Sequence, residues 1–127
     1  MLKCFLLSML VLMTLMATGQ PSVQLLSPSD FGKKLSLVKD KQLIDVRTID
    51  EFNKGHINNA MMIDYLKDDF KSRLLKLDKT KPVFVYCASG ARSSASASIL
   101  SELGFNQVYD LKGGFRAWSA ASKPTTK

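Results

Sequence analysis

From residue 23 to residue 118 the chain alternates short β-like runs with helical patterns, joined by loops of a few residues, and this alternation constrains its fold most. The runs are "VQLL" (23–26), "QLIDV" (42–46), "AMMI" (60–63), "PVFVYC" (82–87) and "QVYDL" (107–111). The first is expected at a sheet edge. The run 82–87, β-branched and aromatic with Pro82 only at its start, is the strongest strand. "SPSD" opens the first helix, with Ser27 at the cap, Pro28 at the first helical position and Asp30 at the third; Phe31, Leu35 and Val38 then share one face. "TIDE" has capping-box spacing from Thr48 to Glu51, and Gly55 suits the end of that short helix. The stretch 64–77 reads as an amphipathic helix with Leu66, Phe70, Leu74 and Leu77 inward. A helix over 93–103 is closed by Gly104, "GGFRAWSAA" forms the last helix, and the tail 122–127 is expected to be disordered. No repeat and no second domain is visible. Strands and helices in strict alternation require right-handed crossovers, hence an α/β fold with a mainly parallel sheet and helices on both faces. Ligands in such folds sit at the carboxyl ends of strands, and Cys87 stands at the end of the strand expected to be central.

That cysteine is the only one after Cys4. A strand that runs straight into a helix N-terminus presents unpaired backbone N–H groups and the positive end of a dipole. Gly90 lets the loop curl so that successive N–H groups face inward, and Arg92 brings a permanent forked cation to the turn. A thiol held there is acidified well below its free value, which makes Cys87 a thiolate nucleophile suited to attack on an oxyanion substrate. The alternative is a small apolar residue at a strand end, where many free cysteines lie.

Three segments, "DVRTIDEFNKGHINNA" (45–60), "VFVYCASGARS" (83–93) and "VYDLKGGFRAW" (108–118), resemble successive signatures of rhodanese domains, in order and at suitable spacing. The resemblance spans 24–121. It implies a single rhodanese-like domain with a five-stranded sheet, and a cofactor-free, metal-free sulfurtransferase that carries sulfur as a cysteine persulfide. By that resemblance Cys87 is the persulfide-forming nucleophile. Ala88, Ser89, Gly90, Ala91 and Arg92 form the loop whose amides cradle the outer sulfur and the donor anion. The implied partners are a small anionic sulfur donor such as thiosulfate and a thiol or cyanide acceptor, with the chain acting as a monomer. Two positions depart from the pattern: Ala88 stands where a cation is frequent, which lowers anion affinity, and "GHINNA" lacks the proline common after the isoleucine.

Other readings of the same residues remain. Phosphatases and arsenate reductases place five residues between cysteine and arginine, whereas four stand between Cys87 and Arg92, a bowl closer in width to one sulfur atom. A rhodanese-like module that stores sulfur or binds a partner without turnover is the second class. A redox role through mixed disulfides is a third, with no resolving cysteine after Cys4. His56, the only histidine, is read as structural, Arg47 as pairing with Glu51 four residues on, and Phe115 and Trp118 as core.

The N-terminus carries a separate message. Lys3 precedes an apolar run, and Ala17-Thr18-Gly19 offers the small residues a signal peptidase reads, with cleavage after Gly19. The uncharged core is about 15 residues, short of the ~20 that a spanning helix needs. Residues 1–19 therefore read as a secretory signal peptide and the protein as periplasmic or secreted. An uncleaved anchor, the one membrane contact expected, and a buried N-terminal helix are the alternatives. Cys4 precedes the apolar core and so is no lipidation site. Cleavage leaves 127 − 19 = 108 residues, enough for one core. The net charge of +7 comes from scattered lysines with no dense block or aromatic interleaving, which argues against nucleic-acid binding. Exported chains usually carry paired cysteines, so a single thiol, Cys87, points to chemistry.

Overall fold

The computed structural model describes residues 22–127; residues 1–19, read as a signal, lie outside them. Five strands, β1 (Val23–Leu26), β2 (Gln42–Asp45), β3 (Met61–Met62), β4 (Val83–Tyr86) and β5 (Val108–Leu111), form one sheet in the order β1-β5-β4-β2-β3. Every pair is parallel, with Val85 of β4 opposite Ile44 of β2 and Asp110 of β5. The apolar run 82–87 is thus the central strand, as its composition predicts, and 23–26 lies at an edge.

Period-two alternation divides β4 between two cores. Val83, Val85 and Cys87 face α3 (Phe70–Leu74) and α4 (Ala91–Glu102), where Leu74 and Leu100 are fully buried. Phe84 and Tyr86 face α1 (Pro28–Leu37) and α5 (Gly114–Ala120), against Phe31 and Trp118. Phe31 meets both Phe84 and Trp118 edge-on. Each such side chain contributes about 1.5–3 kcal/mol by leaving water. The helix starts follow their capping residues: Ser27 Oγ accepts from Asp30 N, and Thr48 and Glu51 form a reciprocal capping box on α2 (Ile49–Lys54).

Three expectations need correction. The helix read over 64–77 contracts to α3. Asp64 is buried and its carboxylate takes the Leu66 N–H at 2.9 Å, so a local turn replaces the first helical turn and leaves Leu66 66% exposed. Phe70 and Leu74 do point inward, and Leu77 packs against them. The strand read over 60–63 keeps two residues. The tail is held rather than loose: Trp118 Nε1 donates to the Pro124 carbonyl at 2.9 Å, and Thr126 exchanges two backbone hydrogen bonds of 2.8 Å with His56. Those bonds satisfy backbone groups of the 55–57 turn that would otherwise face solvent.

Candidate active site at the carboxyl end of the central strand

Four β4 residues of unbroken burial deliver Cys87 to the sheet's carboxyl end, and Gly90, at φ 118°, turns the chain into α4. The helix begins at Ala91, two residues earlier than expected, so Arg92 belongs to its first turn rather than to the loop. Cys87 is a free thiol and is buried. The loop closes over the sulfur and leaves the residue 1% exposed. Sγ accepts the Gly90 N–H at 3.1 Å and lies 3.5 Å from Ser93 Oγ. Burial would raise the thiol's pKa. The Ser93 hydroxyl and the amides of Ser93, Gly90 and Ser89 outweigh it and hold Cys87 below its ordinary value.

The expected acidifier, Arg92, sits elsewhere. Its guanidinium forks onto Glu51 of α2, Nη1 to Oε1 at 2.8 Å and Nη2 to Oε2 at 3.0 Å. Glu51 was expected to pair with Arg47. Arg47 instead lies buried over the Phe115 ring, grips Asp45 at 2.7 Å and donates to the Gly55 carbonyl at 2.7 Å. The Arg47 side chain faces the α5 side of the sheet and Arg92 the rim, so only Arg92 can reach Glu51 in this way. The fork lowers the Glu51 carboxyl to about 2, mainly through the Arg92 hydrogen bonds. A depressed carboxyl stabilises the fold above its ordinary pKa, so this latch weakens only as pH falls from about 4.5 toward about 2. His56 has the structural role read for it, stacked on Phe52 at 3.6 Å with Nδ1 against the Phe52 carbonyl at 2.9 Å.

The latch should matter to rate as one unit. Arg92→Ala and Glu51→Gln are each expected to slow reaction at the Cys87 thiol about tenfold, the lower end for a charge-assisted pair that is partly exposed. The double variant should lose little more, since either change removes the same fork. Kinetics of the three variants check this, and fully additive losses would separate the two residues.

Sequence reasoning passed over the group that holds the loop from below. Gly113 and Gly114 both have positive φ, 75° and 63°, and start α5 so that Phe115 N donates to the Cys87 carbonyl at 2.7 Å and Arg116 N to the Ala88 carbonyl at 3.0 Å. A Cβ on Gly114 would lie 2.5 Å from the Cys87 carbonyl oxygen and 2.6 Å from the Ala88 carbonyl carbon and oxygen. The paired glycines before an apolar helical pattern were the available signal. Ser93 was passed over as well: it closes the segment 83–93, but nothing in the sequence says that its hydroxyl meets the sulfur. A cavity of about 490 Å³ lined by Gly32, Leu35, Leu43, Ile57 and Trp118 shares no residue with the loop.

The Rhodanese-like domain family matches residues 27–121. The thiosulfate sulfurtransferase GlpE of Coxiella burnetii is 43% identical over 86 residues, which are 66% of this chain and 78% of that one. A sulfurtransferase of Allochromatium vinosum is 31% identical over 93 residues, 73% and 85% of the two chains. The uncharacterized protein YqhL of Bacillus subtilis is 40% identical over 82 residues, 65% and 64%. Among solved structures, a rhodanese-related protein from Thermoplasma volcanium superposes with a TM-score of 0.72 at 28% identity, covering 81% of this chain and 97% of that one. The match takes in the central strand, the loop after it and the glycine pair beneath, and by sequence and fold the chain belongs to the rhodanese-like family, a family with sulfurtransferase activity.

Proposed function

We propose that this protein is a thiosulfate-type sulfurtransferase working through a persulfide on Cys87. The observation that carries the reading is a buried thiol held below its ordinary pKa by the Ser93 hydroxyl and by loop amides, with Gly90 N at 3.1 Å from Sγ. In the first half-reaction the Cys87 thiolate attacks the outer sulfur of thiosulfate. A bond forms between the two sulfurs, the bond from that sulfur to the sulfonate breaks, and its electron pair leaves with sulfite. In the second half, an acceptor attacks the outer sulfur and the persulfide bond breaks, returning the pair to Cys87 as thiolate. Cyanide leaves as thiocyanate, and a thiolate acceptor meeting the protonated persulfide leaves as a new persulfide. Donor and acceptor use the same loop in turn, because both react at the one sulfur of Cys87. The amides of Ala88, Ser89, Gly90 and Ala91 supply the cradle, and Arg92 supplies charge at its rim.

Two observations favour a second reading, a module that stores sulfur or binds a partner without turnover. Arg92 is committed to Glu51 rather than offered to an anion, and Ala88 adds no charge. Initial rates of thiocyanate formation over a grid of thiosulfate and cyanide concentrations decide between them. Parallel double-reciprocal lines with sustained turnover are the expected result; a single stoichiometric release of thiocyanate would leave only storage. We further propose export to a periplasmic or extracellular site, on the apolar run and small-residue pair of residues 3–19. N-terminal sequencing of the native protein should then begin at Gln20, and recovery of intact Met1 from washed membranes would point to the anchor.

A further inference from the structure

The carboxylate that holds Arg92 is itself held. Glu51 Oε1 takes the Thr48 N–H at 3.2 Å and the Thr48 hydroxyl at 3.1 Å within the α2 capping box, and takes Arg92 Nη1 at 2.8 Å. Oε2 takes Nη2 at 3.0 Å. Side-chain exposure is 24% for Arg92 and 32% for Glu51, so water screens the pair only in part. Glu51 is therefore a counter-ion set in place by its own helix start, and it claims both terminal nitrogens of the guanidinium.

This pair adjoins the loop around the sulfur. Arg92 stands in the first turn of α4 between Ala91 and Ser93, whose Oγ is 3.5 Å from Cys87 Sγ. Glu51 first, and the Cys87 thiolate after it, help to keep the guanidinium charged. The rest of the loop, Ala88, Ser89, Gly90 and Ala91, carries no charge. Arg47 is bound to Asp45 at 2.7 Å, and Lys112 and Arg116, beyond β5, are exposed, where salt screens them. Beside an ionised sulfur, a doubly charged donor meets twice the repulsion of a singly charged one, and no uncancelled cation of the loop offsets the second charge.

We propose that Glu51 is a specificity-determining residue: by pairing with Arg92 it tunes the site away from doubly charged donors such as thiosulfate and toward singly charged sulfane donors, of which an organic thiosulfonate is the simplest. Thiosulfate remains a donor, and Glu51 sets the margin. Glu51 touches no reacting atom and acts through Arg92. In either case the Cys87 thiolate bonds to the outer sulfur and that sulfur's bond to its carrier breaks. The electron pair leaves on the carrier, as sulfite from thiosulfate or sulfinate from a thiosulfonate. The proposal rests on the sulfurtransferase reading and names the donor class within it.

The test compares kcat/KM for thiosulfate with that for methanethiosulfonate, which has a methyl group in place of one charged oxygen. Their ratio cancels any loss common to both donors, including that of the latch itself. Glu51→Gln keeps an oxygen for the capping box and drops the charge, and should raise the ratio of thiosulfate to methanethiosulfonate about tenfold. Arg92→Ala leaves the carboxylate unpaired and should lower the ratio by a similar factor; the double variant should return it close to the wild-type value. A merely structural latch would move the two single variants alike. An unchanged ratio in Glu51→Gln, or shifts of the same sign in both single variants, would overturn the proposal. Alkylation of Cys87 by iodoacetate relative to iodoacetamide, an anion against its neutral analogue, reads the same electrostatics without sulfur transfer, and the variants should fall in the same order. A protein that takes sulfur from neither donor would defeat the sulfurtransferase reading, and the alkylation ratio would still decide the role of Glu51.

Discussion

Cys87→Ser is expected to reduce thiocyanate formation by at least about a thousandfold, the scale on which loss of a nucleophile is felt. The mutant should remain folded. Serine is smaller than cysteine, and its Oγ can still take the Gly90 N–H that Sγ accepts at 3.1 Å, so no buried donor is orphaned. The lost contacts are those of one sulfur at a site 1% exposed, worth about 1 kcal/mol or less, or a few degrees in melting temperature. Activity and stability thus part company, which is the signature of a group that reacts rather than packs. No other cysteine follows Cys4 in the chain, so residual transfer at the wild-type rate would leave the proposed chemistry without a nucleophile.

Gly114→Ala should come next in severity, and for a geometric reason. Placing a side chain at φ 63° costs on the order of 1 kcal/mol. The collision is larger, because the added Cβ would lie within 2.6 Å of Cys87 and Ala88 backbone atoms, which cannot rotate aside as a side-chain end can. Either α5 or the loop must move by several tenths of an ångström, and the bonds from Phe115 N and Arg116 N to the Cys87 and Ala88 carbonyls stretch with it. A displaced nucleophile is expected to cost about a hundredfold in rate. Gly104→Ala is the control: its φ of 99° carries a comparable strain, yet the nearest atom to its Cβ is the Lys79 Cδ at 3.9 Å. That variant should lose stability and keep activity per folded molecule. Equal activity losses in the two would assign the Gly114 effect to strain alone.

What the sequence allowed one to read, and what it did not, divides along the range of the interactions. The alternation of runs located all five strands, most plainly the central one, where burial on both faces demands the unbroken apolar stretch 83–86. Local caps at Ser27 and Thr48 were legible, being written within four residues. The thiol's position at the end of the central strand followed from topology. The partners of the charged groups did not. Glu51 and Arg92 lie 41 residues apart, and no helical spacing rule can see that pair. Arg47 favoured Glu51 by spacing, but β2 carries Asp45 to the same face two residues earlier, and burial made the shorter-range pair the better one. Residues 64–69 looked helical by periodicity, yet three aspartates in six positions prefer turns, and Asp64 closes one. Gly114 acts through what stands opposite it, the Cys87 and Ala88 carbonyls of the loop, and such neighbours are visible only in three dimensions.

Mass spectrometry of the intact protein after brief treatment with thiosulfate and gel filtration is the decisive measurement. The expected spectrum gains the mass of one sulfur atom, located on the peptide bearing Cys87, and cyanide removes it with release of thiocyanate. An unchanged mass in a protein that nonetheless produces thiocyanate would contradict the persulfide on Cys87.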